Sequence, residues 1–409
     1  VSCGRVLALA DDLSGAAETA MALRLPGRLV LGAPARGLRA AGGSVALPSS
    51  GESVVVDLDS RQLPAVDAAR SVQTAVAAGA FHGGVLFKKV DSLLRGHLAA
   101  ETAAYAAGAR GVVIAPALPV AGRTVRGGVV QLRGTPLHMT EAWRAECRRP
   151  PRSVAHALSG VPTALVPLSV VRGPALADCL LAHLAQGRQP VCDAETDDDL
   201  TLIAAAAYGL GPDVRLLGSG GLAAALGRLL ARTPVDGRAA VPAPHPGTAR
   251  RPLLVVAGTA EPALAAQIAQ LAAVGARHVP LSPGELTLAP TGRLDITPIG
   301  ITVVSITGPV CPASSRDLVT ALAAAVADVA RDSDLVLTGG ETARRVLEAL
   351  GVTQLWPVDQ IHHGAVHSLT PDGRSVVTRP GSYGETDSLL RIARALRPEP
   401  SHLVPSSPF

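Results

Sequence analysis

Only two lysines occur in this 409-residue chain, and they are adjacent: Lys88 and Lys89, within Val85-Leu-Phe-Lys-Lys-Val-Asp-Ser-Leu-Leu-Arg-Gly-His97. Of the 37 basic residues the other 35 are arginine, and asparagine is absent, as a very GC-rich coding sequence would give. Arginine thus serves wherever a positive charge is enough. An ammonium is a compact point charge and a guanidinium a wide planar fork, so the lysines either fell together by chance at a strand end or mark a site that needs the first. Just beyond them stand Asp91, Ser92 and Arg95. Three other stretches are polar in a related way: Asp11-Asp12-Leu-Ser14-Gly15-Ala16, Asp57-Leu-Asp59-Ser60-Arg61, and the run from Pro116 to Gly122-Arg123-Thr124. Cations of this kind cradle a small carboxylate, and an aspartate beside them accepts a proton from a hydroxyl. Taken singly, an acidic pair such as Asp11-Asp12 is a solvated strand end or a helix cap. Their convergence on one edge is what suggests chemistry.

The second half carries a different set. Leu335-Val-Leu-Thr338-Gly339-Gly340-Glu341-Thr342 reads as a strand, a glycine turn and a helix start, which aims backbone N–H groups and the positive end of the helix dipole at an anion. Val255-Val-Ala-Gly258-Thr259-Ala260-Glu261 and Val376-Val-Thr378-Arg379-Pro-Gly381-Ser382-Tyr383-Gly384 are two further glycine turns after strands. Each alone is routine loop chemistry; three in one domain suit a nucleotide. No G-x-x-x-x-G-K-[ST] loop and no full G-x-G-x-x-G occurs, which argues against a Walker-type NTPase and a dinucleotide fold. His362-His363 lack a partner at metal-ligand spacing and read as loop histidines. Asp197-Asp198-Asp199 complement a helix dipole, and Gly218-Ser219-Gly220-Gly221 lacks the frame of a nucleophile elbow.

The elements that must hold these residues alternate β-branched runs with alanine-rich helices, the pattern of a parallel sheet covered by helices. Strands are expected at 5–10, 53–58, 84–87, 111–115, 164–167 and 214–218. Helices are expected at 14–25, 65–78, 98–107, 174–185, 198–208 and 221–231. After a proline-rich stretch the alternation restarts, with strands at 253–257, 301–306, 334–338 and 375–378 and helices at 261–273, 315–330, 342–350 and 386–395. Leu318, Val319, Leu322, Val326 and Val329 form a core-facing stripe. The fold class is therefore α/β, with two α/β domains of mainly parallel sheets and an active site in the cleft between them. The expected divisions are residues 1–232, a linker at 233–251, a second domain at 252–397 and a loose tail at 398–409. Strand carboxyl edges are where open α/β sheets place their working residues.

Bulk composition narrows the class. At 48% apolar residues the chain is too long for one ordinary core. A net charge of +4 with scattered arginines and few aromatics gives no support for nucleic-acid binding. Five cysteines without a C-x-x-C pair argue against a disulfide framework or structural zinc and point to a reducing cytoplasm. Apolar runs are short, so no membrane span is expected.

Taken together, these motifs resemble the four-carbon acid sugar kinases, a family once known only as a domain of unknown function. The resemblance runs over nearly the whole length. It rests on Asp11-Asp12-Leu13-Ser14-Gly15-Ala16, Asp59-Ser60-Arg61, Lys88-Lys89-Val90-Asp91-Ser92-Leu93-Leu94-Arg95-Gly96-His97, the Pro116–Thr124 segment and the Gly339–Thr342 and Gly384 turns. His97 and Ala17 stand where the family has asparagine, Leu93 replaces a threonine, and Arg379 stands for a lysine. A Gly-Ser-x-Ser segment has become Gly258-Thr259-Ala260-Glu261.

The resemblance implies an ATP-dependent, Mg²⁺-using kinase acting on the terminal hydroxyl of threonate, erythronate or 3-oxo-tetronate. The acid would bind the first domain and ATP the second. It implies Asp12, Arg61, Lys89, Asp91, Ser92 and Arg95 as substrate-binding residues. Asp12 or Asp91 would be the proton acceptor, with Lys89 also at the reacting centre. Gly258, Thr259, Gly339, Gly340, Glu341, Thr342, Arg379, Gly381 and Gly384 would bind the nucleotide; the metal ligands stay unassigned. Of the lysine pair, Lys89 is expected to face the cleft and Lys88 to matter less, because neighbours on a strand point to opposite faces. A small hydroxy acid is the expected partner, and homo-oligomerisation is left open. A non-catalytic acid or nucleotide sensor, favoured by Glu261 and Arg379, and a kinase repurposed for another hydroxylated metabolite are the alternatives.

Overall fold

The computed structural model describes residues 4–32, 39–40, 43–44, 47–78, 84–144, 146, 148–231, 251–258, 262–288, 300–308, 315–381 and 384–397. The expected linker, apart from Arg251, and the expected tail lie outside the described residues, as do Thr259, Glu261, Ser382 and Tyr383. The chain opens with β1 (Val6–Ala10), α1 (Leu13–Ala22), β2 (Gly27–Leu31), the two-residue strands β3 (Arg39–Ala40) and β4 (Gly43–Ser44), and β5 (Ser53–Asp57). There follow α2 (Ala65–Ala78), β6 (Val85–Lys89), α3 (Leu98–Ala106) and β7 (Gly111–Ala115), then a small meander of β8 (Arg123–Arg126), β9 (Val129–Leu132) and β10 (Thr135–Pro136). The half closes with α4 (Val154–Ala157), β11 (Thr163–Val166), α5 (Leu168–Val171), α6 (Leu176–Ala185), β12 (Gln189–Cys192), α7 (Asp197–Gly209), β13 (Val214–Gly218) and α8 (Gly220–Leu230).

The second half runs β14 (Leu253–Ala257), α9 (Pro262–Ala273), β15 (Arg277–Leu281), α10 (Pro283–Leu288), β16 (Ile301–Ile306) and α11 (Ser315–Arg331). It ends with β17 (Asp334–Thr338), α12 (Gly340–Ala349), β18 (Gln354–His362), β19 (Ala365–Leu369), β20 (Ser375–Arg379) and α13 (Ser388–Leu396). No helix among the described residues is long and apolar enough to cross a membrane.

Strands β1, β5, β7 and β14 are buried along their whole length because helices cover both faces, which is why their sequences are unbroken apolar runs. In the first half the order is β11-β12-β7-β13-β6-β1-β5-β2, all parallel. Strands β6 and β5 therefore flank β1, and the polar stretches after all three meet at one edge. In the second half β20-β17-β14-β16-β15 are parallel, so the three glycine turns follow neighbouring strands or nearly so.

Two features were not expected. The sheets of the two halves are continuous: Gln354 and Leu355 of β18 pair antiparallel with Val30 and Leu29 of β2, giving one fifteen-stranded sheet. One apolar cluster likewise runs through both halves, from Val6 and Leu29 to Leu335, Leu355 and Val376. Apolar packing is thus continuous across the junction of the two α/β halves, while the second half keeps a further cluster of its own around Leu253, Leu271 and Ile392. Strand β18 then pairs with β19 across two register irregularities, features that bend and twist a strand. α1 packs against α12 as well as against its own sheet.

Candidate active site

Strand β1 ends at Ala10, and the next two residues are carboxylates because the chain turns there into α1. Asp12 is the N-cap: its Oδ1 accepts from the Gly15 amide at 3.0 Å, satisfying a first-turn donor. Arg61 arrives from the end of β5, and its own and the Ser60 amide both donate to the Asp11 carbonyl, at 3.1 and 3.0 Å. Its guanidinium then divides between the two acids. Nε donates to Asp11 Oδ2 at 2.8 Å, and Nη1 and Nη2 donate to the two oxygens of Asp12 at 2.9 Å each. Arg61 was expected to meet the substrate directly; in this state it is already committed to Asp11 and Asp12. Burial alone would raise the Asp11 carboxyl, but Arg61, Lys88 and Lys89 hold it below its usual value.

Both lysines lie on β6, which runs two residues further than its apolar run suggests, and they pair with Leu9 and Ala10 of β1. Their side chains leave opposite faces. Lys88 is fully buried, its Nζ 3.1 Å from Glu101 Oε2. Lys89 Nζ has a looser partner, Glu18 Oε2 at 3.6 Å, and stands where a β-carbon on Gly15 would lie 2.9 Å away. Among the ion pairs described at this edge, the Lys89–Glu18 contact is the longest. Lys88 also carries weight for stability, since a wholly buried ammonium depends on the carboxylates near it, Glu101 first.

Asp91 and Arg95 form a closed pair. Arg95 Nε and Nη2 donate to the two Asp91 oxygens at 2.7 and 3.0 Å, and the Arg95 amide adds a third bond at 3.2 Å. Burial would raise the Asp91 carboxyl, yet Arg95, with Arg61 and Arg123, holds it well below the usual carboxylate range. Such a group is a poor proton acceptor, so of the two expected bases the geometry disfavours Asp91. Ser92 Oγ accepts from Arg123 Nη1 at 2.5 Å, which brings the Pro116–Thr124 stretch into the same cluster.

On the nucleotide side, Gly339 has φ +99°, a conformation open to glycine, and no side chain caps the first turn of α12. Gly258 and Gly339 face Thr342: a β-carbon on Gly339 would lie 3.3 Å from Thr342 Oγ1, and one on Gly258 would collide with it. Gly340 was expected to leave room for phosphate. A β-carbon there would instead lie 2.7 Å from Asp12 Oδ2 and 3.2 Å from Ser14 Oγ. The glycine turn of one half therefore rests directly on the carboxylate of the other. Arg379 is fully buried, donating to Ser388 Oγ at 2.5 Å and Gln267 Oε1 at 2.8 Å; among the described residues its Nε has no partner and no carboxylate is bonded to it. Burial lowers its pKa to about 10. Gly384, at φ +98°, closes this box, since a β-carbon would come within 3.1 Å of Arg379 Nη1. Gly381 follows two residues after β20. His362, expected in a loop, ends β18 and meets Ser388 Oγ through Nε2 at 2.9 Å.

A set of charges between the halves escaped the sequence reading. Arg344 of α12 donates to Asp57 Oδ2 at 2.9 Å and to the Gly32 carbonyl at 2.5 Å. Arg345 pairs with Asp59 and, at 3.0 Å, with Glu341, while Arg316 of α11 approaches Asp59 and Glu341 at 3.6 and 3.5 Å. Glu341, expected to bind nucleotide, thus turns its carboxylate to this network. Burial pushes the Asp57 carboxyl up to about 7 against the pull of Arg344, with Asp59 adding to the rise. The available signal was the pair Arg344-Arg345 directly after the glycine turn, opposite the Asp57-Leu-Asp59 strand end; nothing in sequence spacing joins residues 287 positions apart.

Residues 6–226 match the family described as Sugar-binding N-terminal domain, and residues 303–389 match Nucleotide-binding C-terminal domain. A D-threonate kinase of Cupriavidus necator is 32% identical, over 95% of this chain and 97% of that protein. One of Bordetella bronchiseptica is 33% identical, over 95% and 96%. A solved structure from Salmonella typhimurium LT2 shares the fold at a TM-score of 0.72 and 21% identity, covering 96% of this chain and 99% of that one. With both halves matched and relatives above 30% identity aligned nearly end to end, the chain belongs to the four-carbon acid sugar kinases and is a phosphotransferase.

Proposed function

We propose that the protein transfers the γ-phosphoryl group of ATP to the terminal hydroxyl of a four-carbon sugar acid of the threonate, erythronate or 3-oxo-tetronate type. One observation carries the reading: the Asp12 carboxylate lies against the Gly339–Gly340 turn, the place where an uncapped helix start receives phosphate. A hydroxyl held by Asp12 and a γ-phosphate held by the turn would be neighbours, as in-line transfer requires. The D-threonate kinases aligned over 95% of the chain support the substrate class.

Each side of the site has a role under this reading. Lys89 receives the acid, its contact with Glu18 being the longest of those ion pairs. Arg61 fixes Asp12 and Asp11 in orientation, while Arg95 and Asp91 with Ser92 and Arg123 shape the far wall. Asp12 accepts the hydroxyl proton as the acceptor oxygen bonds to phosphorus and the bond from phosphorus to the ADP oxygen breaks, ADP leaving with that electron pair. Little basicity is asked of Asp12, because phosphoryl transfer depends mainly on positioning and charge neutralisation.

The residues present fit a triphosphate. Among the described residues, Arg379 is a buried guanidinium without a bonded carboxylate and Thr338 and Thr378 have buried hydroxyls without a partner, while Gly258 and Gly339 make a cradle that β-carbons would fill. No group of three or more acidic, histidine or cysteine side chains that could hold a metal occurs among the described residues. This suits Mg²⁺ arriving with the phosphates, where one or two carboxylates suffice and the ion neutralises phosphate charge; Asp12 and Glu341 border the turn. The test is ADP release with ATP and a panel of threonate, erythronate and 3-oxo-tetronate. Acid-dependent release supports the reading, and release indifferent to every acid overturns it.

A further inference from the structure

Beneath the Asp11–Arg61 layer lies a buried carboxylate to which the acid site and the nucleotide turn give no role. Glu101, in the first turn of α3, is 3% exposed. Its Oε2 receives the Lys88 ammonium at 3.1 Å and its Oε1 accepts from the Ser60 hydroxyl. Lys88 and Ser60 are themselves fully buried. Each of these two partners immediately precedes a cation of the acid site: Ser60 precedes Arg61, and Lys88 precedes Lys89. The grip continues into the backbone. Lys88 Nζ also donates to the Lys89 carbonyl at 3.2 Å, and the Ser60 amide donates to the Asp11 carbonyl at 3.0 Å. Because β6 and β5 flank β1, one carboxylate holds the ends of both outer strands of this trio from below.

We propose that Glu101 is a positioning residue for the acid-sugar site, setting the spacing of Arg61 and Lys89 by holding their chain neighbours Ser60 and Lys88. This rests on the reading of Lys89 and Arg61 as parts of the acid site. Stability alone does not account for it: an apolar pair of the same volume is commonly as stable as a buried ion pair. Apolar side chains would, however, leave the Ser60 hydroxyl without an acceptor and would not tie Nζ of residue 88 to the carbonyl of residue 89. Asp59 beside this segment adopts φ +50°, a conformation unusual outside glycine, so the segment relies on fixed contacts, of which the Ser60–Glu101 bond is one beside those of Asp59 to Arg345 and Arg61 to Asp11. Lys88 also lends its charge to the Asp11 carboxylate, so the same carboxylate supports the electrostatics above it.

The experiment uses the full chain with three changes: Glu101→Gln, the charge-balanced pair Glu101→Gln with Lys88→Met, and Ser60→Ala. Urea unfolding is measured beside initial rates, with threonate, erythronate or 3-oxo-tetronate, whichever has the highest kcat/KM, varied at saturating ATP and then ATP varied at saturating acid. Glu101→Gln alone should unfold at lower urea, because Lys88 loses its counter-charge. The balanced double variant should recover the wild-type unfolding midpoint yet keep an acid KM raised at least about tenfold, with the ATP KM within about twofold of wild type. Ser60→Ala should raise the acid KM several-fold while lowering the midpoint less than Glu101→Gln does, so the proposal stands or falls even without a folded single Glu101 variant. Recovery of both stability and acid KM in the double variant would show that Glu101 serves packing only. Lys89→Met is the control. If it leaves the acid KM at the wild-type value, the acid-site reading fails and takes this proposal with it; if it raises the acid KM while the double and Ser60→Ala do not, the proposal alone fails.

Discussion

Replacing Arg344 by methionine would remove the cation 2.9 Å from the buried Asp57 carboxylate while keeping an aliphatic stem in its place. Breaking one side of a buried pair costs about 3–5 kcal/mol, against a whole-domain stability of about 5–15 kcal/mol. Asp57 adds a signature in pH. Its carboxyl is pushed up to about 7 in the folded protein from its ordinary value of 3.8. Between those values the folded state keeps a proton that the unfolded chain has released. Stability therefore falls as pH rises through that window, at about 1.4 kcal/mol per unit, and levels off above it. Without Arg344, which lowers the Asp57 pKa, the folded-state value moves higher and the fall continues beyond neutral pH. The deficit of Arg344→Met relative to wild type should thus be larger near pH 8.5 than near pH 7, by up to about 1.6 kcal/mol. Urea unfolding at the two pH values measures it, and adding Asp57→Asn should abolish the difference. A deficit that is independent of pH, or that shrinks as pH rises, would refute the reasoning. Because α12 carries the glycine turn, kcat/KM should fall with the docking of that helix.

Four other outcomes follow from the same geometry. Gly340→Ala places a β-carbon 2.7 Å from Asp12 Oδ2 and should cost about 1–3 kcal/mol in thermal or urea unfolding, with kcat/KM lowered at least about tenfold. Lys89→Arg should fold normally and lose about tenfold in kcat/KM, about 1.4 kcal/mol of transition-state binding, whereas Lys88→Arg, in a wholly buried position, should show its damage in the unfolding midpoint. Arg379→Met should raise the ATP KM about tenfold, leave the acid KM unchanged, and be at least as stable as wild type, since it removes a buried guanidinium with no bonded carboxylate. Asp12→Asn should lower kcat far more than Asp91→Asn in steady-state assays, because Asp12 is the carboxylate that lies against Gly340 of the glycine turn.

What the sequence revealed depended on how local the cause was. Strands β1, β7 and β14 were legible because burial on both faces leaves an unbroken apolar run, and α7 because Asp197, Asp198 and Asp199 mark its first turn. β12 was missed because Gln189 and Pro190 disguise a buried strand, and β18 because its middle is exposed and shows no apolar run. That omission hid the most consequential feature, since β18 joins the two sheets. The polar strand ends were legible as a group. What was not legible is which cation meets which carboxylate: Arg61 looked free for substrate and is bound to Asp11 and Asp12, while Glu341 looked ready for phosphate and faces Arg345. Lys88 and Lys89 stood out only because composition removed lysine everywhere else.

The central claim is that phosphoryl transfer passes between the Gly339–Gly340 turn and a hydroxyl beside Asp12. Phosphorus NMR of a reaction containing the protein, ATP, Mg²⁺ and each of threonate, erythronate and 3-oxo-tetronate tests it most directly. The account predicts a new phosphomonoester resonance coupled to the terminal CH₂ of one acid, appearing with ADP in equal amount and lost in Asp12→Asn. A folded, ATP-binding protein that yields no phosphoester from any of them, or a product phosphorylated at an inner hydroxyl, would contradict it.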